Sequence, residues 1–271
     1  MMKEKARIHS RRELAEGIVS MWLKCSLADH AEPGQFVLVY PKDSSRLLGR
    51  PFCICEVNPE GDEIRIVFRI SGKGTEEIAA LEYRDIVEVE GPLGKGYPLE
   101  CAAGKQVLLM GGGIGAPSLL FLAQRLKKSI VSYGGAKNVS ALLGYRNSAL
   151  KRFLADDFLN VGIQTMIATD DGSDGIKGNV VEVAKRLHSQ RVLLPQLIYA
   201  CGPMPMLKAV GEFAAELKIP AYISLEEHMA CGVGACLGCV VPTKERDGHS
   251  NVHNARICTE GPVFEASEVL W

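Results

Sequence analysis

Between residues 35 and 70 the apolar positions fall into short blocks, QFVLVY, FCICEV and EIRIVFRI. Each is rich in β-branched and aromatic residues, the composition of strands. In the last block Ile64, Ile66, Phe68 and Ile70 share one face and Arg65, Val67 and Arg69 the other, a period of two. Such strands, separated by Gly, Pro and Asp, predict a small antiparallel β-barrel over residues 1–100. From about Gly104 the rhythm changes. KQVLLMGG reads as a buried strand and PSLLFLAQRLKK as a helix with Pro117 in its first turn. SALLGYR and VGIQTMIATDDGS are strands, GNVVEVAKRLHSQ a helix, QLIYACGP a strand and MPMLKAVGEFAAEL a helix. Strand–helix alternation predicts an α/β domain with a parallel sheet over 101–222. After AYISLEE the pattern dissolves, leaving 223–271 as a small region of cysteine and glycine. The expected architecture is therefore multidomain.

Composition narrows the function. The 271 residues are 47% hydrophobic and 23% charged, with a formal net charge of -1, which is ordinary for a globular protein. There is no run of Lys and Arg to follow a phosphate backbone, so nucleic acid is not an expected partner. VLLMGGGIGAPSLLFLA is uncharged over 17 residues. Its four glycines and a proline suit strand–loop–helix better than a membrane span. MMKEKARIHSRRELAEG lacks the apolar core of a secretory signal. Together with an odd number of cysteines, nine, this favours a reducing cytoplasm, where clustered thiols suggest metal or redox chemistry before disulfides.

Three segments carry candidate chemistry. In LLMGGGIGAP a strand runs into Gly111, Gly112, Gly113 and Gly115 and then a helix. Glycine allows close backbone approach, and the helix start favours a pyrophosphate. The spacing is not G-x-G-x-x-G, and a ligand-free βα turn is the competing reading. Cys201-Gly202-Pro203 ends a later strand of the same half. Ligands of open parallel sheets sit at the carboxyl ends of strands, so both loops can face one crevice. Cys201 is either a plain buried thiol or the lining of a nicotinamide pocket. In the barrel half, Arg50 precedes a strand bearing Phe52, and Gly72-Lys73-Gly74-Thr75 precedes an apolar–acidic run. Arg50 can fork onto a pyrophosphate, Phe52 can lie against a flat ring, and Thr75 can cap a helix. A surface arginine and a core phenylalanine are the alternatives. Lastly, Cys231-x4-Cys236-x2-Cys239, followed by Cys258, has the spacing of plant-type [2Fe–2S] ligands. Gly232, Gly234, Ala235 and Gly238 between them are small enough for a wrapping loop. A four-cysteine zinc site is the rival, although zinc sites favour two C-x2-C pairs and only one is present.

The joint order of these motifs resembles the ferredoxin–NADP reductase superfamily. It runs from Arg-Pro-Phe through G-K-G-T, G-P-L-G at 91–94, G-G-G-I-G-A-P and C-G-P to the four cysteines and EGPVF. Within that superfamily the chain is similar, over nearly its whole length, to the electron-transfer subunits of dihydroorotate dehydrogenase B. The resemblance implies FAD on Arg50, Pro51, Phe52 and Cys53, on Val67, Phe68 and Arg69, and on the phosphate turn at Gly74 and Thr75. It implies a pyridine nucleotide on Gly111, Gly112, Gly113 and Gly115 and on Cys201, Gly202 and Pro203. It implies a [2Fe–2S] cluster on Cys231, Cys236, Cys239 and Cys258. The family usually has Ser or Thr where Cys53 stands, and a thiol is a weaker hydrogen-bond partner for flavin than a hydroxyl. Arg146 follows ALLGY where an acidic residue would hold a ribose 2′-hydroxyl, and an arginine there suits a 2′-phosphate; the resemblance nevertheless implies NAD.

The chain thus reads as an oxidoreductase subunit without acid–base chemistry of its own. Asp170-Asp171 reads as a loop at a strand end. The resemblance implies a partner subunit that holds FMN and oxidises dihydroorotate to orotate in pyrimidine biosynthesis, in a heterotetramer of two of each. Electrons would pass from that FMN through the cluster and FAD to NAD. Three alternatives stay open. One is the subunit of another flavin complex, of the sulfide dehydrogenase or NADH-dependent ferredoxin–NADP oxidoreductase type. The others are a zinc-stabilised module without redox function and a stand-alone NAD(P)H oxidoreductase.

Overall fold

The computed structural model describes residues 2–43, 45–130, 135–150, 153–248 and 251–271. Contacts divide the chain into two compact units, Met1–Gly96 with Glu226–Pro262 and Tyr97–Leu225 with Val263–Trp271. No described helix is long and apolar enough to cross a membrane.

The first unit is built on six strands: β1 (Met2–Ala15), β2 (Ile18–Lys24), β3 (Phe36–Tyr40), β4 (Arg50–Val57), β5 (Glu63–Arg69) and β6 (Ile86–Leu93). They close into an antiparallel barrel in the order β1-β2-β5-β4-β3-β6. Closure leaves the sheet no open edge. Turn chemistry sets the hairpins. Gly17 takes φ +67° between the paired Ala15 and Ile18. The Asn58 side chain accepts the N–H groups of Asp62 and Glu63 at 3.0 and 2.9 Å, beside Gly61 at φ +77°. Ile8, Met21, Leu23, Ile54, Ile64 and Ile66 are fully buried. The face of β5 opposite the isoleucines is covered too. Arg65 lies there, 8% exposed, with Nε donating to Ser20 Oγ at 2.9 Å and Nη1 on Glu56 at 3.1 Å. A buried guanidinium needs such partners to offset its desolvation. A short helix, α1 (Lys73–Ala79), links β5 to β6.

The second unit alternates strand and helix: β7 (Gln106–Gly112), α2 (Pro117–Ile130), β8 (Asn138–Tyr145), α3 (Ala155–Asn160), β9 (Gln164–Thr169), β10 (Ile176–Lys177), α4 (Val180–Ser189), β11 (Leu197–Cys201), α5 (Met204–Leu217) and β12 (Ala221–Ser224). Asn179 starts α4 by accepting the N–H groups of Val181 and Glu182, a normal N-cap. Beyond β12 the chain returns to the first unit, where β13 (Val240–Pro242) and β14 (Asn254–Arg256) form a hairpin. The last strand, β15 (Val263–Glu265), pairs antiparallel with β12. The sheet order is β10-β9-β8-β7-β11-β12-β15, with every pairing but the last parallel. The strand order reverses between β7 and β11, which marks the ligand-binding crevice of sheets of this type.

Candidate functional site

The barrel wall is split at one place. β4 and β5 pair at Ile54–Ile66, Glu56–Arg65 and Val57–Ile64, and their ladder goes no further. Arg50 to Cys53 pair instead with β3, and Val67 to Arg69 with β2. The two segments therefore have no backbone ladder between them, and this unpaired stretch of wall is called the slot below. Phe52 and Phe68, one from each segment, are buried with their rings stacked at 4.5 Å and 26°. Phe52 is thus engaged with Phe68 in the core, and what it offers a ligand is the shape of the wall. Cys53, half-buried, alternates with it on the other face. At the end of the slot Arg50 Nη1 donates to the Leu48 carbonyl at 2.6 Å. A Cβ on Gly74 would lie 2.6 Å from that guanidinium. Glycine at 74 is what lets Arg50 rest over the G-K-G-T turn. The Thr75 hydroxyl is consumed by this turn. It accepts N–H groups from Ser71 and Gly72 at 2.8 and 3.1 Å and donates to the Gly72 carbonyl at 2.8 Å. Thr75 therefore shapes the turn, and Arg50 brings the positive charge. The set fits a flavin dinucleotide: a slot, a guanidinium and a tight glycine turn.

In the second unit the two glycine-containing loops meet where the strand order reverses. Gly111 of β7 is in register with Cys201 of β11. A Cβ on Gly115 would lie 2.4 Å from the Cys201 carbonyl oxygen, and one on Gly112 would lie 3.0 Å from the Pro203 ring. These glycines let the loops pack on each other. Gly113 differs: φ is +52° and nothing lies within 4 Å of its Cβ position. It is the open position of the loop, with no described residue against it, and fits the close approach of a pyrophosphate. The Cys201 thiol is fully buried. Beyond β8, Arg146 is exposed, and its carbonyl accepts the N–H of Asp171 at 3.4 Å. The fold thus sets an acidic residue from the β9 loop beside the arginine that follows ALLGY. The Asp171 carboxyl, bound by the Ser173 hydroxyl and N–H, lies below the usual carboxylate range.

The cysteine loop sits on the barrel. Gly232, at φ +68°, would place a Cβ 2.7 Å from Leu38 Cδ1 and 3.2 Å from Leu93 Cδ1. Leu38 is the residue of β3 paired with Pro51. One leucine thus touches the loop and neighbours the strand that borders the slot. Within the loop, the N–H of Cys236 points to Cys231 Sγ and that of Gly238 to Cys236 Sγ, both at 3.4 Å. Val240 pairs with Arg256, and the Ile257 N–H donates to the Cys239 carbonyl at 3.0 Å. Through this hairpin Cys258 meets Cys239, and both are buried. Cys231 interacts with Cys236, and Cys258 with Cys239 and, more weakly, with Cys231. Among the described residues no three metal-ligating side chains surround a single point. Four thiols that sense one another in this way suit the four ligands of a [2Fe–2S] cluster.

The two ends of the cluster loop differ in electrostatics. Burial and the neighbouring Cys239 push the Cys258 thiol up to about 12. Burial opposes ionisation of Cys231 as well, yet the N–H groups of Val233, Cys236 and Ala235 bring it down to about 7. A bound metal would have to displace the Cys258 proton, since it is the thiolate that ligates.

Comparison with known proteins settles the family. Residues 226–270 match the iron–sulfur cluster binding domain of dihydroorotate dehydrogenase B. The electron transfer subunit of dihydroorotate dehydrogenase B (NAD(+)) from Bacillus caldolyticus is 41% identical over 99% of this chain and 98% of its own. That of Streptococcus mutans is 37% identical over 100% and 99%. The chain belongs to the dihydroorotate dehydrogenase B electron transfer subunits. The structure of an NADH-dependent reduced ferredoxin-NADP oxidoreductase superposes with a TM-score of 0.84 at 29% identity, covering 98% of this chain and 90% of the other. A ferredoxin NADP+ reductase from Neisseria gonorrhoeae, at 13% identity and TM-score 0.67, shares the fold. The barrel, parallel sheet and C-terminal iron–sulfur domain are those of a ferredoxin–NADP reductase fold. As a dihydroorotate dehydrogenase B electron transfer subunit, the chain is an oxidoreductase component that works with FAD, a [2Fe–2S] cluster and NAD beside a catalytic partner subunit. Sequence patterns alone could not reveal the split between β4 and β5. Its signal is tertiary, namely which strand each segment chooses as partner.

Proposed function

We propose that this chain connects NAD with a separate FMN-bearing subunit that oxidises dihydroorotate to orotate, in a cytoplasmic heterotetramer of two of each. The observation that carries the reading is Leu38, which neighbours Pro51 at the slot and underlies Gly232 of the cysteine loop. When bound, the three groups supply the chemistry, since nicotinamide exchanges hydride, the cluster single electrons and flavin either. The chain's own residues do the positioning. Arg50 and the turn at Gly74 and Thr75 hold the flavin diphosphate, while Pro51, Cys53 and the backbone of Val67 to Arg69 line its slot. Gly113 and the start of α2 take the pyrophosphate of NAD, with Gly111, Gly112, Gly115, Gly202 and Pro203 shaping the crevice and Cys201 beneath it. Cys231, Cys236, Cys239 and Cys258 hold the cluster. The loop that carries them offers the face for the partner, because electrons enter there.

Co-expression with an FMN-bearing dihydroorotate dehydrogenase subunit tests this reading. The complex should reduce NAD on addition of dihydroorotate. Cys236→Ser should abolish that activity and the iron content while keeping NADH-dependent reduction of an artificial dye. Survival of both activities in the variant would remove Cys236 from the relay.

A further inference from the structure

Arg256 is held more firmly than a surface arginine needs to be. Its Nε and Nη2 fork onto Glu260, at 3.1 and 2.9 Å, and its backbone N–H also reaches that carboxylate at 2.5 Å. Nη2 faces Asp247 at 3.5 Å, whose side chain is 3% exposed. Nη1 faces the Gly234 carbonyl at 3.5 Å, inside the stretch between Cys231 and Cys236. The Arg256 carbonyl in turn accepts the N–H groups of Thr259, Glu260 and Gly261 at 3.2, 2.8 and 3.2 Å, folding the turn that contains Cys258. Opposite, Arg256 pairs with Val240, next to Cys239. One residue therefore joins the three pieces of chain that carry the four cysteines, its side chain reaching the Cys231–Cys236 stretch and its backbone the other two.

We infer that Arg256 is a positioning residue that clamps the cysteine loop closed and, against Glu260 and Asp247, sets the charge felt by the cluster. The inference rests on the cluster reading above. Reducing a [2Fe–2S] cluster by one electron, delivered from NADH through the flavin or from the partner subunit, adds one negative charge. A nearby guanidinium stabilises that charge and nearby carboxylates oppose it. Removing the cation leaves the carboxylates of Glu260 and Asp247 uncompensated beside the turn of Cys258, whereas neutralising Glu260 lessens the offset to the cation. A clamp that is only mechanical has no such dependence on sign.

The test is an EPR-monitored redox titration of the anaerobically purified holoprotein, with iron and sulfide counted per chain. Arg256→Gln should lower the midpoint potential and Glu260→Gln raise it. Each should change the reduction equilibrium by about tenfold, which for a one-electron couple is about 59 mV. Arg256→Lys keeps the charge and loses the fork, so it should hold a near-normal potential while releasing iron faster to a chelator. If Arg256→Gln fails to retain the cluster, Glu260→Gln and Arg256→Lys decide. Unshifted potentials, or shifts of one sign in both neutralising variants, would overturn the inference. A wild-type protein without a [2Fe–2S] signal would instead sink the cluster reading itself.

Discussion

At the scale of single residues, the glycines of the loop at 111–115 have separate duties. Gly115 faces backbone, with a Cβ position 2.4 Å from the Cys201 carbonyl oxygen. No rotamer relieves that contact, so Gly115→Ala should cost about 1–3 kcal/mol through overpacking. Gly113 faces open space at φ +52°, and Gly113→Ala should cost only about 1 kcal/mol of left-handed strain while impairing NAD binding. Urea unfolding and NADH titration of the two variants would separate the roles. Cys25 gives a pH dependence. Its buried thiol, with Glu4 nearby, is pushed from 9.0 up to about 12. The native state holds that proton more tightly than the unfolded chain does. The stabilisation is thus complete below pH 9 and lost as pH rises toward 12. Cys25→Ala should flatten the fall in unfolding midpoint between pH 8 and 9.5, below the value of 10.0 at which the tyrosines of the unfolded chain begin to contribute. An unchanged slope would exclude Cys25 as its source.

At the scale of elements, the important event is the parting of β4 from β5. Both strands are legible in the sequence, since Ile54, Ile64 and Ile66 alternate as strand cores do. The slot between them is not, because each segment pairs normally with its other neighbour. Arg50 rests on the turn only because Gly74 has no side chain. Removing a charged hydrogen-bonding group is worth about 1.5–3 kcal/mol. Arg50→Ala should therefore weaken FAD roughly tenfold to a hundredfold, read from flavin fluorescence on release. Gly74→Ala should act in the same direction by displacing the guanidinium, with little change in the unfolding midpoint. Equal FAD affinity in both variants and the wild type would move the diphosphate away from Arg50.

At the scale of the whole molecule, chain order and packing order differ. The chain leaves the parallel sheet after β12, builds the cysteine region against the barrel, and returns as β15 to close the edge of that sheet. Val263, Phe264 and Val269 are buried on the return. Ending the chain at Pro262 should expose the β12 edge and cost at least about 2 kcal/mol. A lowered thermal midpoint with the flavin and iron retained is the expected result. Simultaneous loss of iron would mean that the last nine residues also support the cysteine region.

The sequence by itself determined the local elements and the chemical inventory. Periods of two and of about four residues are written in side-chain order, and so is the C-x4-C-x2-C spacing on a loop short enough to act as a unit. Cys258 was visible as a fourth thiol, but only the β13–β14 hairpin seats it against Cys239. Tertiary structure alone decided that Phe52 stacks on Phe68, that Arg65 is buried, that Asp171 lies beside Arg146, and that Leu38 sits under Gly232 while pairing with Pro51. The reason is physical. Periodicity records which face of an element avoids water, whereas the partner on that face comes from distant parts of the chain and is fixed only when the whole unit packs.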